Sequence, residues 1–185
     1  MQDSLRENDL RQLILSTIDA AGMQTELKKD ACGINMSYNF IGDYVGFDGK
    51  RLVEAWQEMQ ADIPFEHYVK TLTMHELGHA MDREALQASL DRTLEILDMK
   101  NSLSARELYT NRDHLSVLLE EHEMDIAFEE TAWCNAKLLN DAAGLVDDFT
   151  FELIKKHSLA TYLDLYKEDL ALYNKLTEEH FLQPV

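Results

Sequence analysis

Proline, cysteine and glycine are all scarce in this chain of 185 residues, which holds two prolines, two cysteines and seven glycines. Proline interrupts helices, so its scarcity leaves most of the chain free to be helical. The two cysteines, Cys32 and Cys134, lie about a hundred residues apart. They exclude a disulfide framework and predict free thiols in a reducing compartment, each acting as a small buried side chain.

Long apolar runs and basic side chains are also lacking. No window of about 18 uncharged apolar residues occurs, which predicts that no segment spans a membrane. The charged N-terminal stretch MQDSLRENDLRQLIL does not fit a signal peptide. Seventeen basic side chains against 35 acidic ones give a net charge of −18, which disfavours nucleic acid and anionic lipid as partners. We therefore expect a cytoplasmic protein that binds neither nucleic acid nor membranes.

The residues that are present predict a small sheet near the N-terminus. A hydrophobic content of 45% is typical of a globular chain, and the length fits a single domain over residues 1–185. Leucine and isoleucine at helical spacing predict a first helix over residues 3–21. Glycines mixed with β-branched and aromatic residues then predict two or three short strands, of which 34–38 and 44–47 are the clearest.

Helices are expected to fill the rest of the chain, beginning with a short one over residues 50–60. Asp62 is expected to cap the next helix with Pro64 in its first turn, and that helix should reach about residue 100 with a bend near Ser89. A loop over 101–113, a long helix over 113–140 and one or two helices over 147–175 complete the prediction. The expected fold class is α+β and helix-dominated, with a small N-terminal sheet packed on a pair of long helices.

The stretch TMHELGHAMD, residues 73–82, has the pattern of a metal site. A helix turns about 100° per residue, so His75 and His79 face the same side one turn apart and can bind one ion. Glu76 lies about 100° from His75, where it can reach a water molecule and act as a general base. Gly78 costs a helix interior about 1 kcal/mol relative to alanine, which suggests that something approaches the helix closely there.

The motif supplies two ligands, and a third must come from another segment. A metzincin would carry a histidine six residues after His79, where this chain has Ala85, and no EGC-type segment of a deformylase is present. In the acidic helix that follows, periodicity places Glu129 inside the apolar sector, where a carboxylate is costly to bury unless it is paired or binds a metal. Glu121 is the alternative, because Asp125 one turn later could orient a metal-binding histidine.

HELGH followed about 50 residues later by EETAW, residues 129–133, resembles the gluzincin zinc peptidases over roughly residues 65–140. The small size and single domain are similar to those of the ImmA/IrrE-like cytoplasmic metallopeptidases. The resemblance implies one Zn²⁺ ion per chain, bound by His75, His79 and Glu129, with Glu76 as the catalytic base. Trp133 stands where many gluzincins carry Asp or Asn to support the first histidine, and Asp82 could supply that support instead.

The resemblance implies a zinc-dependent peptidase that acts on a protein or peptide substrate. A strand within residues 34–48 would bind this substrate in extended form by edge pairing. The alternative is a metal-stabilised interaction module that cleaves nothing and docks on a partner with a basic surface. An oxyanion-stabilising side chain near the ion would separate the two hypotheses, and the candidates for it are Tyr68, His157 and Tyr162.

Overall fold

The structure is a computed structural model that describes residues 2–182, with side chains described over residues 7–178. Within that range the chain forms eight helices and three strands. In order these are α1 (Gln2–Ala20), β1 (Glu26–Lys29), β2 (Met36–Asn39), β3 (Tyr44–Phe47), α2 (Gly49–Glu58), α3 (Phe65–Met81), α4 (Arg83–Ala88), α5 (Leu90–Ser102), α6 (Ala105–Thr110), α7 (Arg112–Ala143) and α8 (Asp148–Leu182). The predicted helix-dominated α+β class is confirmed.

The three strands form one sheet in the order β1-β3-β2. The central strand β3 runs parallel to β1 and antiparallel to β2, with Met36 opposite Phe47. Strands β2 and β3 confirm the prediction, but β1 was missed because its sequence, ELKK, has only one buried side chain, Leu27. The sheet packs on α3, where Thr73 Oγ1 lies 3.8 Å from Met36 Sδ. The strand nearest the motif helix is therefore an edge strand.

The chain divides into two compact units. Unit 1 combines the chain up to Glu84 with residues 130–157, and unit 2 combines residues 85–129 with the chain from Ser158 onward. The divisions fall inside α7 and α8, so each of these helices contributes to both units. The single domain expected from the sequence is not tested by this division and stays a prediction.

Each unit has its own apolar core. In unit 1, the face of α1 predicted from its leucines and isoleucines is buried and packs on α3. The largest fully buried side chains of this unit include Trp133, Phe47, Phe151, Ile14 and Leu52. In unit 2, Leu108, Leu115 and Leu118 form a buried cluster, and it packs against Met99, Leu103, Leu172, Tyr173 and Leu176. Burial of these side chains is the main term that stabilises each unit.

The expected start of the motif helix was wrong. α3 begins at Phe65, and Pro64 occupies the N-cap position with φ −59° and ψ 135°, with no side-chain cap. Asp62 is therefore not the cap. The helix also ends earlier than expected, because Asp82 and Ser89 separate α3, α4 and α5 where one bent helix was predicted. Proline fixes its own φ but leaves ψ free, so with extended backbone at Pro64 the helix begins at Phe65, two residues after the start expected from an Asp62 cap.

The expected loop over 101–113 was also largely wrong. α5 continues to Ser102, and α6 forms within the expected loop. α6 begins with a capping box, in which Ser104 accepts from the Glu107 backbone and the Glu107 carboxylate accepts from the Ser104 backbone. Such reciprocal bonds can start a short helix without a long hydrophobic pattern.

The two cysteines are free, as predicted, but both are exposed rather than buried. Cys32 lies between β1 and β2, and Cys134 lies on the outward side of α7. Among the helices that the structure describes, none combines the length and the apolar character needed to cross a membrane.

Candidate metal centre

The motif lies in the most deeply buried part of α3. Every residue from Thr71 to Gly78 is buried, and the side chains of His75 and Glu76 are 5% and 6% exposed. A helix that is buried on all sides belongs to the interior of a fold, not to its surface. These polar side chains are thus not members of a solvated helix face.

The two histidines stand together, as their spacing predicts. The ring centroids of His75 and His79 are 4.7 Å apart and their planes meet at 69°. His79 is less buried than His75. The pair therefore has one imidazole inside the fold and one reaching toward its surface.

The close approach expected at Gly78 is confirmed, and the approaching group is the backbone of α7. A β-carbon added to Gly78 would lie 2.1 Å from the carbonyl oxygen of Ala132. The amide of Asn135 donates to the Gly78 carbonyl oxygen at 3.1 Å. α3 and α7 consequently pack backbone to backbone at the motif, which requires a residue without a side chain.

Glu129 comes together with the two histidines. It is only 8% exposed, and one ligand atom from each of His75, His79 and Glu129 can be chosen so that all lie within 4.8 Å of one another. Within the part of the chain whose side chains are described, no other such group of three forms. Glu129 groups with unit 2, but it is directly bonded to Glu130 of unit 1 and continues the same helix.

The donor set fits a divalent metal ion. Two imidazole nitrogens and a carboxylate oxygen are the ligands of many zinc sites, and bonds of about 2.0–2.2 Å set such atoms roughly 3.4 Å apart. A carboxylate buried as deeply as Glu129 is also expected to be paired or metal-bound. The three residues could hold a metal ion.

The alternative carboxylate is engaged elsewhere. Both oxygens of Glu121 accept from the Lys100 ammonium group at 2.8 Å. Asp125 lies nearby in the same unit, where desolvation and the negative charge of Glu121 raise the pKa of its carboxyl group. The structure thus brings Glu129, not Glu121, to the histidines.

Trp133 is the neighbour of His75 on the α7 side. The two rings are stacked, with centroids 4.2 Å apart and planes inclined by 18°. Phe151 meets Trp133 edge-on at 5.6 Å. Periodicity placed Trp133 on the apolar face of its helix, but it could not show that the indole lies flat against a histidine.

Asp82 is the C-cap residue of α3, and its backbone N–H donates to the His79 carbonyl oxygen at 3.0 Å.

The candidates for oxyanion stabilisation lie on two helices, α3 and α8. Tyr68 is buried in α3, which raises the pKa of its phenol, and its hydroxyl accepts from Asn35 at 3.4 Å. It precedes His75 by seven residues, or about 10 Å along the helix axis. His157 is exposed on α8, and Tyr162 is half-buried further along that helix.

Comparison of the chain with models of known protein families, with curated proteins and with solved structures finds no match. No relative supplies an activity, a ligand or a partner. The function of the chain is therefore inferred from its own residues and their arrangement.

Proposed function

We propose that this protein is a zinc-dependent peptidase of gluzincin type. The observation that supports this proposal is the convergence of His75, His79 and Glu129, whose ligand atoms lie within 4.8 Å of one another, next to the buried carboxylate of Glu76. Two histidines and a glutamate that lie together beside a second carboxylate match the composition of a hydrolytic metal site. Structural sites, in contrast, have four protein ligands and no open position.

The proposed ligands are His75 and His79 from α3 and Glu129 from α7, holding one Zn²⁺ ion per chain. Zinc is preferred because mixed imidazole and carboxylate ligands suit it. When bound, the ion supplies Lewis acidity, which polarises a carbonyl group and lowers the pKa of water to about 7.

Glu76 is the proposed general base. Its carboxylate takes a proton from the water molecule as the water oxygen attacks the carbonyl carbon of the peptide bond. The same carboxyl group then delivers the proton to the amide nitrogen as the carbon–nitrogen bond breaks, which releases an amine and a carboxylic acid. Burial of Glu76 beside the histidines keeps this proton transfer away from bulk solvent.

Strand β2 is the proposed binding edge for an extended substrate. The Asp48 N–H donates to the Asn35 carbonyl oxygen, so residues 35, 37 and 39 face the neighbouring strand β3. The N–H and carbonyl groups of Tyr38 therefore point outward from the sheet edge. Since β2 packs on α3, a peptide paired with Tyr38 would run alongside the motif helix.

Metal content and proteolysis measured together test this function. The purified protein should contain about one zinc per chain and should cleave unfolded proteins or members of a peptide library, and a chelator should abolish cleavage. Glu76→Gln should keep the zinc and lose cleavage, because it removes the base without removing a ligand. Glu129→Gln should lower zinc affinity at least about tenfold, because mutation even of residues that only support metal ligands has an effect of that size.

Glu130→Gln is the matched control, since Glu130 is an exposed carboxylate next to Glu129 on the same helix. It should retain both zinc and cleavage. Full zinc binding by the Glu129→Gln protein would refute the ligand set. Cleavage by metal-free protein, or no cleavage of any library peptide by zinc-loaded protein, would refute the peptidase function.

A further inference from the structure

The imidazole of His75 lies against a flat aromatic surface. Its ring is nearly parallel to the indole of Trp133, at a centroid distance of 4.2 Å. At this separation, rotation of the imidazole out of its plane would drive a ring edge into the indole. The stack therefore restricts the direction in which the His75 nitrogens point.

The indole itself is held firmly. Trp133 is fully buried, and Phe151, also fully buried, packs edge-on against it. One residue before it, Ala132 contacts the Gly78 position, and two residues after it Asn135 donates to the Gly78 carbonyl group. Both contacts tie this turn of α7 to the turn of α3 that carries the histidines, so the indole cannot move away from His75 independently.

The ring face of Trp133, not its polar N–H, accounts for this arrangement. The indole Nε1 is buried and has no hydrogen-bond partner among the residues that the structure describes. A buried N–H without a partner is unfavourable, and tryptophan is normally placed where this group can be satisfied. The extended and electron-rich face is the feature that distinguishes an indole from a smaller apolar side chain here.

We propose that Trp133 is the positioning residue for His75, setting the plane of this metal-binding imidazole by stacking. Hydrogen bonds commonly orient metal-binding histidines, and a parallel ring can restrict the same rotation. A metal-bound imidazole also gains positive character, and the negative face of an indole favours a neighbouring positive charge more than a benzene ring does. The inference rests on the metal site of the proposed function but not on peptide hydrolysis.

Zinc affinity and the visible spectrum of bound Co²⁺ test this role in a graded series of variants. Trp133→Phe keeps an aromatic face and should weaken zinc binding by less than about fivefold. Trp133→Leu removes the face and should weaken it about 10- to 100-fold. The Co²⁺ absorption bands report ligand geometry, so they should change in the leucine variant and be largely restored in the phenylalanine variant. If the Trp133→Leu protein does not fold, Trp133→Met takes its place, because methionine fills more of the space left by the indole.

Phe47→Leu is the matched control, because Phe47 is a similarly buried aromatic residue of unit 1 that belongs to β3 and not to α3 or α7. It should bind both ions as the wild type does. Wild-type affinity in both non-aromatic Trp133 variants, or an equal loss in Phe47→Leu, would overturn the inference. Wild-type protein that binds zinc but cleaves nothing would end the peptidase proposal and leave this one standing. A wild type that binds no zinc would overturn both.

Discussion

Replacement of Gly78 by alanine tests whether α3 and α7 pack as closely as described. In an ordinary helix interior this change stabilises by about 1 kcal/mol, because alanine is the better helix former. Here the new methyl group would lie 2.1 Å from the carbonyl oxygen of Ala132 and 2.9 Å from its carbonyl carbon. An ordinary carbon–oxygen contact is about 3.3 Å, so the helices would have to separate by roughly 1.2 Å.

The expected cost follows from that separation. Overpacking of a well-packed interior costs about 1–3 kcal/mol, and the clash here is with backbone, which cannot rotate aside. Separation also weakens the bond from Asn135 to the Gly78 carbonyl group, a loss of about 1 kcal/mol. After the gain in helix propensity is subtracted, we expect the free energy of unfolding to fall by about 2 kcal/mol.

Urea unfolding of metal-free protein measures this effect. With a slope of about 2 kcal/mol per molar, the midpoint of Gly78→Ala should fall by roughly 1 M, and zinc affinity should fall with it because the ligands sit on both helices. Gly49→Ala is the control, since its methyl group would meet only the mobile end of Leu10, at 3.2 Å. A Gly78→Ala protein as stable as the wild type would refute the close packing.

Two further predictions concern hydrogen bonds in unit 1. Asn140 is buried, donates to the Val146 carbonyl group at 2.8 Å and accepts from its N–H at 3.0 Å, so Asn140→Ala should lower the urea-unfolding free energy by about 2–3 kcal/mol. A loss below about 0.5 kcal/mol would contradict the role of these two hydrogen bonds in holding the α7–α8 connection. Asp48 accepts from the backbone N–H groups of Arg51, Lys50 and Gly33, and the bond from Arg51 contributes most to lowering its pKa. Its stabilising contribution is therefore present above the ordinary pKa and is lost as the pH falls through the lowered one, so Asp48→Ala should cost about 1 kcal/mol at pH 7 and progressively less in acid. Asp48→Asn keeps an acceptor but has no charge to lose, so its unfolding free energy should show no such pH dependence. If the wild type, Asp48→Ala and Asp48→Asn lost stability equally as the pH falls, the stabilising role of the Asp48 carboxylate would be contradicted.

Local chemistry was enough to predict much of the candidate site. The helical angle brings His75 and His79 to one side wherever the helix lies, and the same angle places Glu129 on the apolar face of α7. The glycine in the middle of the motif indicated a close neighbour, and the neighbour is Ala132. These features depend on fixed helical geometry and on side-chain size, which a sequence states directly.

Features that depend on particular partners were not predictable. Strand β1 has a polar sequence and is a strand because it pairs with β3, with Leu27 opposite Val45. α6 replaces part of an expected loop because a capping box starts it. Glu121 was the alternative to Glu129, and in the structure its carboxylate pairs with Lys100 while Glu129 lies with the histidines.

The sequence by itself determined the helix-dominated class, the two-histidine motif and the face on which its third member would lie, because each follows from residue periodicity. Only the tertiary structure decided which carboxylate joins the histidines and that an indole lies flat on one of them. Both depend on how α3 and α7 approach, and that approach is decided by packing between segments about fifty residues apart. Periodicity within a single helix carries no information about such packing.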